Sequence, residues 1–182
     1  MNCCFPRDFV PEDSNKVYRR NALLYLGNQP FYFASFNTPN LLMVEDRPGM
    51  KGTWIPTDPY EIDDALRTIA GAGGKVTRTY TLGIGPNLHI TALRTYNETA
   101  FVAMDHALHQ ANIHCVKLII PIINNHNGGD HHCDFSFGDY GLLAQFRHLP
   151  PSQFFVHPDL IEDYKHLLHF LLNRINTVSG IR

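Results

Sequence analysis

The sequence has few cysteines and no long apolar run, and each absence excludes a class of protein. Its 182 residues include four cysteines, two of them adjacent and none in a CxxC spacing, so the pattern does not indicate a disulfide scaffold. No stretch of 18 apolar residues occurs, so no membrane span is predicted. Pro6, Arg7 and Asp8 stand where the apolar segment of a signal peptide would lie, and no secretory leader is predicted either.

The sequence also has no excess of positive charge, which argues against a nucleic-acid partner. The formal net charge is −2, and no run of Lys or Arg occurs. The motifs GxSxG, GxGxxG and the P-loop are missing, so no nucleotide cofactor is expected, and no other cofactor is indicated. What remains is a globular composition, with 44% hydrophobic and 18% charged residues in a length that suits one domain.

Three strand-like apolar runs predict an α/β fold. They cover residues 31–37, 75–82 and 116–123, and an amphipathic helical stretch follows each run. Buried parallel strands that alternate with helices form a sheet whose ligands gather at the carboxyl ends of the strands. Residues 1–20 are polar and broken by prolines, so we expect a poorly ordered lead-in followed by one domain over residues 21–182.

Capping signals predict where the three helices begin. Asp58 followed by Pro59 is typical of a helix start, Asn97 can cap the second helix, and Pro158 opens the third. Residues 124–152 are rich in glycine and are predicted to form a long loop, which in a compact domain is usually functional or disordered.

The predicted strand ends carry the candidate site. The polar or aromatic residues expected there are Asn37, Arg78, Tyr80, Asn124, Asn125 and His126. Amide side chains offer donors and acceptors with little charge, which suits neutral polyols, but asparagines also cap strands and turns, and both interpretations stay open. Arg78 lies within an apolar strand, so we expect a carboxylate to face it, either in a structural ion pair or in an active site.

A metal site is another interpretation of the long loop. Its candidate ligands are His126, Asp130, His131, His132 and Cys133. Adjacent histidines in a glycine-rich loop lack the regular spacing of familiar zinc sites, so no metal is predicted. The histidine pairs on the second and third helices are expected to be solvated, and Cys115 is expected to be a small buried apolar residue.

Four short segments carry a family resemblance. They are Arg78-Thr79-Tyr80, Tyr96-Asn97-Glu98, Ile123-Asn124-Asn125-His126 with Gly128-Gly129, and Asn173-Arg174-Ile175-Asn176-Thr177-Val178-Ser179-Gly180. In this order and spacing they resemble the N-terminal part of endo-β-1,4-mannanases, which are cellulase-like glycoside hydrolases of the family 5 type in clan A. The resemblance covers about residues 21–182, and the last segment is its strongest part.

The resemblance implies a fold and a mechanism. The family fold is a (β/α)8 TIM barrel, and its members hydrolyse β-glycosidic bonds with retention through two glutamates at the ends of the fourth and seventh strands. Strand starts near residues 31, 75 and 116 give roughly 40 residues per unit. By this resemblance the chain would form the first three β/α units, truncated before strand 4. Both catalytic glutamates are then expected downstream of Arg182, and we expect the chain to be inactive alone.

The resemblance also implies roles for the strand-end residues. Arg78 matches the arginine that supports the nucleophile, and Tyr80 stands where the family usually has a substrate-stacking tryptophan. Asn124 and Asn125 match paired asparagines, while His126 replaces an aromatic residue. The departures at Tyr80 and His126 leave open which β-glycan is preferred.

The expected partner is a β-linked polysaccharide or oligosaccharide, with no nucleic acid and no membrane. A three-stranded parallel sheet leaves strand edges unpaired, so self-association through them is also expected. The alternative function is a small α/β domain that binds a polar or sugar ligand without catalysis. Members of the family are commonly secreted, whereas this chain shows no signal peptide, and no localisation is assigned.

Overall fold

The structure, a computed structural model, describes residues 16–45, 54–125 and 138–181. Its helices are α1 Pro59–Gly71, α2 Glu98–Ile113, α3 Tyr140–Gln145 and α4 Pro158–Asn173, with 3-10 turns at Pro39–Leu41 and Pro151–Gln153. Its strands are β1 Val17–Arg20, β2 Leu23–Leu26, β3 Gln29–Pro30, β4 Ser35–Asn37, β5 Met43–Glu45, β6 Trp54–Pro56, β7 Val76–Arg78, β8 Ile90–Ala92, β9 Thr95–Tyr96 and β10 Lys117–Ile119.

Three of these strands form the parallel sheet that the sequence predicts. β7 lies in the centre, and β4 and β10 pair with it in parallel on either side. The α/β prediction is thereby confirmed, but each strand has three residues, far fewer than the predicted runs. The apolar runs are longer than the strands because residues beyond the ladder, such as Leu82, Ile120 and Ile122, still pack into the core.

Three small antiparallel sheets accompany the parallel one. One sheet contains β1, β2 and β3, the second pairs β5 with β6, and the third pairs β8 with β9. Among the described residues, β1 at Val17–Arg20 already lies inside the lead-in predicted over residues 1–20. Residues 31–34, predicted as strand, connect β3 to β4, and the N–H of Phe31 donates to the carbonyl of Leu24 at 2.8 Å.

Capping residues set the helix starts where the sequence predicts them. Oδ1 of Asp58 accepts a hydrogen bond from the N–H of Tyr60 at 2.8 Å, and Oδ1 of Asn97 accepts one from Thr99 at 3.1 Å. α4 begins at Pro158, so all three predicted helix starts are confirmed. In the described ranges, no helix has the length and apolar character to cross a membrane.

The hydrophobic core lies between the helices and one face of the parallel sheet. Ile62 and Leu66 of α1 and Phe101 of α2 are fully buried. Val116 and Leu118 bring β10 into the same cluster. The core therefore depends mainly on α1 and α2, which pack against each other over the sheet.

The predicted loop over residues 124–152 contains regular structure. α3 lies within this range and the 3-10 turn that follows it overlaps the end of the range, so the loop prediction is wrong there. Asp139 caps α3, because its Oδ1 accepts a hydrogen bond from the N–H of Gly141 at 2.7 Å. A helix of six residues is too short to show a clear hydrophobic period in the sequence. Residues 126–137 lie outside the described ranges.

Candidate functional site

The carboxyl ends of the parallel strands bring the predicted site residues into one row. Asn37 is the register partner of Arg78, and Arg78 is the register partner of Ile119. Neighbouring strands lie about 4.8 Å apart, and residues in register point to the same face. All three residues are exposed, so they form an open row at the edge where sheets of this class bind ligands.

The opposite face of the sheet explains why this row is open. Thr77 precedes Arg78 and is fully buried; its hydroxyl lies 2.8 Å from that of Thr38 and 3.2 Å from the carbonyl oxygen of Phe36. Because side chains alternate across a strand, the burial of Thr77 on the helix side places Arg78 on the open side. The N–H of Thr38 donates to the carbonyl of Arg78 at 2.8 Å and fixes the two strand ends together.

Arg78 departs from the prediction that a carboxylate faces it. Its side chain is exposed, and within the described parts of the chain it forms no ion pair with Asp or Glu. The physical reason is that the row faces away from the helical layer, where most of the described carboxylates lie. The guanidinium is therefore available to an anionic group from elsewhere.

Tyr80 lies beside a small cavity at the same end of the sheet. Its backbone N–H donates to the carbonyl of Pro39 at 3.2 Å, which joins the segments that follow β4 and β7. The lining residues are Pro39, Leu42, Met43, Trp54, Tyr80, Thr81 and Gly83. Our sequence reasoning missed Trp54, although it is the single tryptophan of the chain. Trp54 and Tyr80 give the cavity two flat aromatic surfaces.

Asn124 and Asn125 differ in what their side chains do. Nδ2 of Asn124 donates to Oγ1 of Thr81 at 3.1 Å, and its carbonyl accepts a hydrogen bond from the N–H of Tyr140 at 3.1 Å. Asn124 therefore helps to hold the loop after β10, which supports the structural interpretation of the asparagine cluster at this residue. Asn125 is exposed and remains accessible to a ligand. His126 lies outside the described residues.

The metal interpretation rests on residues from His126 to Cys133, and these also lie outside the described residues. In the part of the chain that the structure does describe, no group of three or more His, Cys, Asp or Glu is placed to hold a metal. Cys115 is half-buried, not buried as expected, because its φ of 57° places it in the tight turn between α2 and β10. The paired histidines of α2 and α4 are exposed or half-exposed, as expected.

Most described carboxylates lie on the helices. Those of α1, α2 and α4 are Glu61, Asp63, Asp64, Glu98, Asp105, Asp159, Glu162 and Asp163. Several are engaged there: Oδ1 of Asp63 lies 2.9 Å from Nε2 of His114, and that hydrogen bond lowers the pKa of Asp63. Asp163 accepts hydrogen bonds from Arg94 at 2.8 Å and from Arg147. These helical carboxylates do not extend the Asn37–Arg78 row.

The catalytic glutamates that the resemblance implies have no counterpart among the described strand ends. They were expected downstream of Arg182, and Arg182 itself lies outside the described residues. The structure therefore gives no position for either glutamate, and their placement beyond Arg182 stays a prediction. What the described strand ends do supply is the amide, guanidinium and aromatic side chains of Asn37, Arg78 and Tyr80.

His89 is a buried histidine that our sequence reasoning missed. Its Nδ1 accepts a hydrogen bond from the N–H of Gly83 at 3.1 Å, and its ring packs edge-on against Phe101 with 4.8 Å between centroids. Burial lowers the pKa of His89 to about 4, and the positive charge of Arg174 acts in the same direction. A neutral imidazole therefore holds the segment that follows Tyr80. The apolar residues on either side of His89 in the sequence indicate a buried segment, and this signal could have identified the histidine as buried.

The segment with the strongest family resemblance joins the end of α4 to α2 through hydrogen bonds. Arg174 donates to Asp105 at 2.6 Å and to Glu98 at 2.6 Å, and the N–H and hydroxyl of Thr177 donate to Asp105 at 3.0 and 2.7 Å. Asp105 is 1% exposed. Burial alone would raise its pKa, but the hydrogen bonds from Arg174 and Thr177 lower it below the ordinary value. These contacts place Arg174 and Thr177 away from the Asn37–Arg78 row.

Comparison with known sequences gives one consistent group of relatives, although no family model matches the chain. The chain is 26% identical over 173 residues to mannan endo-1,4-beta-mannosidase 1 of Oryza sativa subsp. japonica, which covers 91% of this chain and 36% of the relative. It is 25% identical over 177 residues to mannan endo-1,4-beta-mannosidase 5 of Solanum lycopersicum, which covers 93% of this chain and 39% of the relative. The chain thus spans well under half the length of these relatives.

Solved structures show the same fold. An endo-1,4-beta-mannanase from Rhizomucor miehei matches with a TM-score of 0.71 and 18% identity, over 91% of this chain and 43% of that one. A mutant family 5 mannosidase from the same organism, solved with mannosyl-fructose, matches with a TM-score of 0.70 and 16% identity, over 92% and 45%. These neighbours are TIM-barrel enzymes, and the chain corresponds to part of their barrel. By sequence and by fold, the chain resembles the N-terminal part of the endo-β-1,4-mannanases of glycoside hydrolase family 5.

Proposed function

We propose that this chain supplies one wall of the substrate cleft in a retaining, mannanase-type glycoside hydrolase that acts on β-1,4-linked polysaccharide. The observation that carries the proposal is the exposed row of Asn37 and Arg78 at the carboxyl ends of the parallel strands, with Tyr80 beside it. The names of the relatives supply mannan as the substrate class. In this proposal β4, β7 and β10 are the first three strands of the barrel, and the domain includes β1, which starts at Val17.

Each site residue has a proposed binding role that follows from the chemistry of its side chain. Tyr80 is 39% exposed and offers a flat apolar surface to a sugar ring. Asn37 and Asn125 offer amide donors and acceptors to hydroxyl groups, and we extend this role to Asn124 and His126 on the resemblance alone. Arg78 is exposed and faces no described carboxylate, so it is suited to support a carboxylate nucleophile from another part of the barrel.

We also propose that these 182 residues do not hydrolyse the substrate by themselves. Retaining hydrolysis requires a carboxylic acid and a carboxylate about 5–5.5 Å apart on either side of the scissile bond. The carboxylates of α1, α2 and α4 lie on the helical layer, and Asp139 is buried as the cap of α3. Catalysis would therefore depend on glutamates from other strands of the barrel, downstream of Arg182.

A non-catalytic sugar-binding domain is the second candidate function. The observation in its favour is that the row and the adjacent Tyr80 combine amide, guanidinium and aromatic groups without a described carboxylate. Such a domain would bind the same ligand class as the cleft wall. The two candidates differ only when the remaining barrel strands are supplied: the cleft wall then supports turnover, and the binding domain does not.

Titration with β-1,4-linked mannohexaose tests the proposed site directly. In amide NMR spectra of the 182-residue chain, we expect the largest shifts at Asn37, Arg78, Tyr80 and Asn125. Tyr80→Ala removes one stacking surface and is expected to raise Kd about tenfold.

The matched control is Tyr60→Ala, since Tyr60 is 71% exposed but lies on α1 and outside the site. This variant should bind like the wild type. Shifts that avoid the strand ends, or equal affinity of Tyr80→Ala and the wild type, would show that the site is assigned wrongly.

A further inference from the structure

An exposed aromatic side chain lies between α3 and α4 and has no role in the site described above. Phe155 is 68% exposed, and its neighbour Val156 is also exposed. The ring centroid of Phe155 lies 5.2 Å from that of Tyr140 and 5.0 Å from that of Phe154. Two rings therefore pack against one side of the Phe155 ring, and much of its remaining surface is exposed to solvent.

The supporting rings are themselves fixed, so Phe155 is held in place. Phe154 is 5% exposed and packs edge-on against Tyr164 of α4, with 5.7 Å between centroids. Its N–H donates to the carbonyl of Pro151 at 3.0 Å, which closes the turn before Phe155. A ring held in this way loses little conformational freedom when a ligand stacks on it.

The aromatic cluster is connected to the candidate cleft through Asn124. The N–H of Tyr140 donates to the carbonyl of Asn124 at 3.1 Å, and Asn124 forms a bridge with Asp139. Tyr140 thus contacts Asn124 on one side and the ring of Phe155 on the other. Phe155 also precedes the first turn of α4, and helices of this fold begin at the carboxyl end of the sheet.

The chemistry around Phe155 suits a neutral ligand of small contact area. Residues 149–156 contain no charged side chain, and the flanking Arg147 and Asp159 pair with each other at 3.5 Å, so the surface does not favour an ion. Two adjacent exposed apolar side chains cover far less than the roughly 800 Å² that each partner buries in a standard protein interface. One ring face matches the apolar face of a pyranose.

We propose that Phe155 is an additional stacking platform for a β-1,4-linked hexopyranose chain that extends from the Asn37–Arg78 row past Asn124. This inference rests on the proposed function, because the platform lengthens the same cleft and binds the same polysaccharide. The platform contributes to affinity for long oligosaccharides and takes no part in bond cleavage.

The test compares Kd for β-1,4-linked mannohexaose and mannobiose, measured by calorimetry on the 182-residue chain. Phe155→Ala and Phe155→Leu should weaken mannohexaose binding about tenfold, because both remove the ring, and Phe155→Tyr should keep the affinity. Mannobiose binding should change little. Tyr32→Ala is the matched control, since Tyr32 is also 68% exposed but precedes β4, at the opposite end of the sheet.

The outcomes separate this inference from the proposed function. If Tyr80→Ala weakens binding and both Phe155 variants bind like the wild type, the platform is wrong and the cleft assignment stands. If the Phe155 variants weaken binding and Tyr80→Ala does not, the platform is supported and the cleft assignment fails. Absence of any mannohexaose binding would contradict both. Conversion of a dimer to a monomer by Phe155→Ala would show that a second copy covers this ring, which also overturns the platform.

Discussion

Single residues decide how the segments after the parallel strands are held, and His89 is the clearest case. Its buried ring accepts the N–H of Gly83, close to Tyr80, and must stay neutral to do so. Burial lowers the pKa of His89 to about 4, whereas an unfolded chain leaves histidine near 6.5. Between these pH values the unfolded state binds more protons than the folded state, so acidification destabilises the fold.

We therefore expect the free energy of unfolding to be fully maintained above about pH 6.5 and to fall by about 3 kcal/mol as the pH approaches 4. Urea denaturation at about pH 7.5 and about pH 4.5 measures this change. His89→Asn should be less stable than the wild type at the higher pH but should show a smaller difference between the two conditions. The exposed His169→Asn serves as the control for loss of a histidine, and it should retain the wild-type pH dependence. An equal pH dependence in His89→Asn would contradict this role of the buried ring.

For single residues, sequence reasoning predicted which side chains lie together better than it predicted their contacts. It placed Asn37 and Arg78 together because strand ends of a parallel sheet meet at one edge, and the register agrees. It predicted a paired Arg78 because it could not show which face of β7 the helices cover. It missed Trp54 and His89 because their roles depend on side-chain contacts between segments far apart in the chain.

At the scale of elements, helix starts were predictable and strand lengths were not. Helix starts depend on local caps such as Asp58 and Asn97, which act over a few residues and can be recognised in sequence. Strand lengths depend on ladder partners elsewhere, so apolar runs overestimated them. The motif around Arg174 was recognised as a family signature, but only the structure shows that it joins α4 to α2 by a hydrogen bond to Asp105.

The parallel sheet also gives a prediction about association. β4 and β10 are its outer strands, and Ile119 is exposed on the open row. Unpaired edges and an uncovered apolar residue favour pairing with another chain. We expect the isolated chain to sediment as species heavier than its 20.7 kDa monomer, increasingly so at higher concentration.

Ile119→Lys should reduce this association, because it adds a charge to the open face. Ile113→Lys is the matched control, since Ile113 is 48% exposed against 46% for Ile119 but lies on α2. A monodisperse monomer with a sharp cooperative melt would argue for an autonomous domain instead.

At the scale of the whole molecule, the chain corresponds to part of a barrel, and in our proposal it supplies a cleft wall without the catalytic pair. The α/β class followed from three strand-helix units in the sequence, and the barrel followed from the resemblance. Residue patterns alone cannot distinguish an open sheet from part of a barrel, because both use the same parallel β/α units. The match to 43% of a mannanase chain with a TM-score of 0.71 supplies that information.

The most direct test of the central claim is turnover of β-mannan by a chimaera. Residues 17–182 of this chain, which include β1, replace the corresponding N-terminal part of the rice relative, so that the relative's remaining barrel strands follow Arg182. The 182-residue chain alone should release no reducing sugar, and the chimaera should hydrolyse mannan. Arg78→Ala in the chimaera should lower kcat/KM roughly 100-fold, because it removes the charge that supports the nucleophile. Arg67→Ala, which removes an exposed arginine paired with Asp64 on α1, should leave kcat/KM unchanged. Three results would contradict the proposed cleft wall. They are hydrolysis of mannan by the chain alone, a chimaera that folds but is inactive, and an Arg78→Ala chimaera with unchanged kcat/KM.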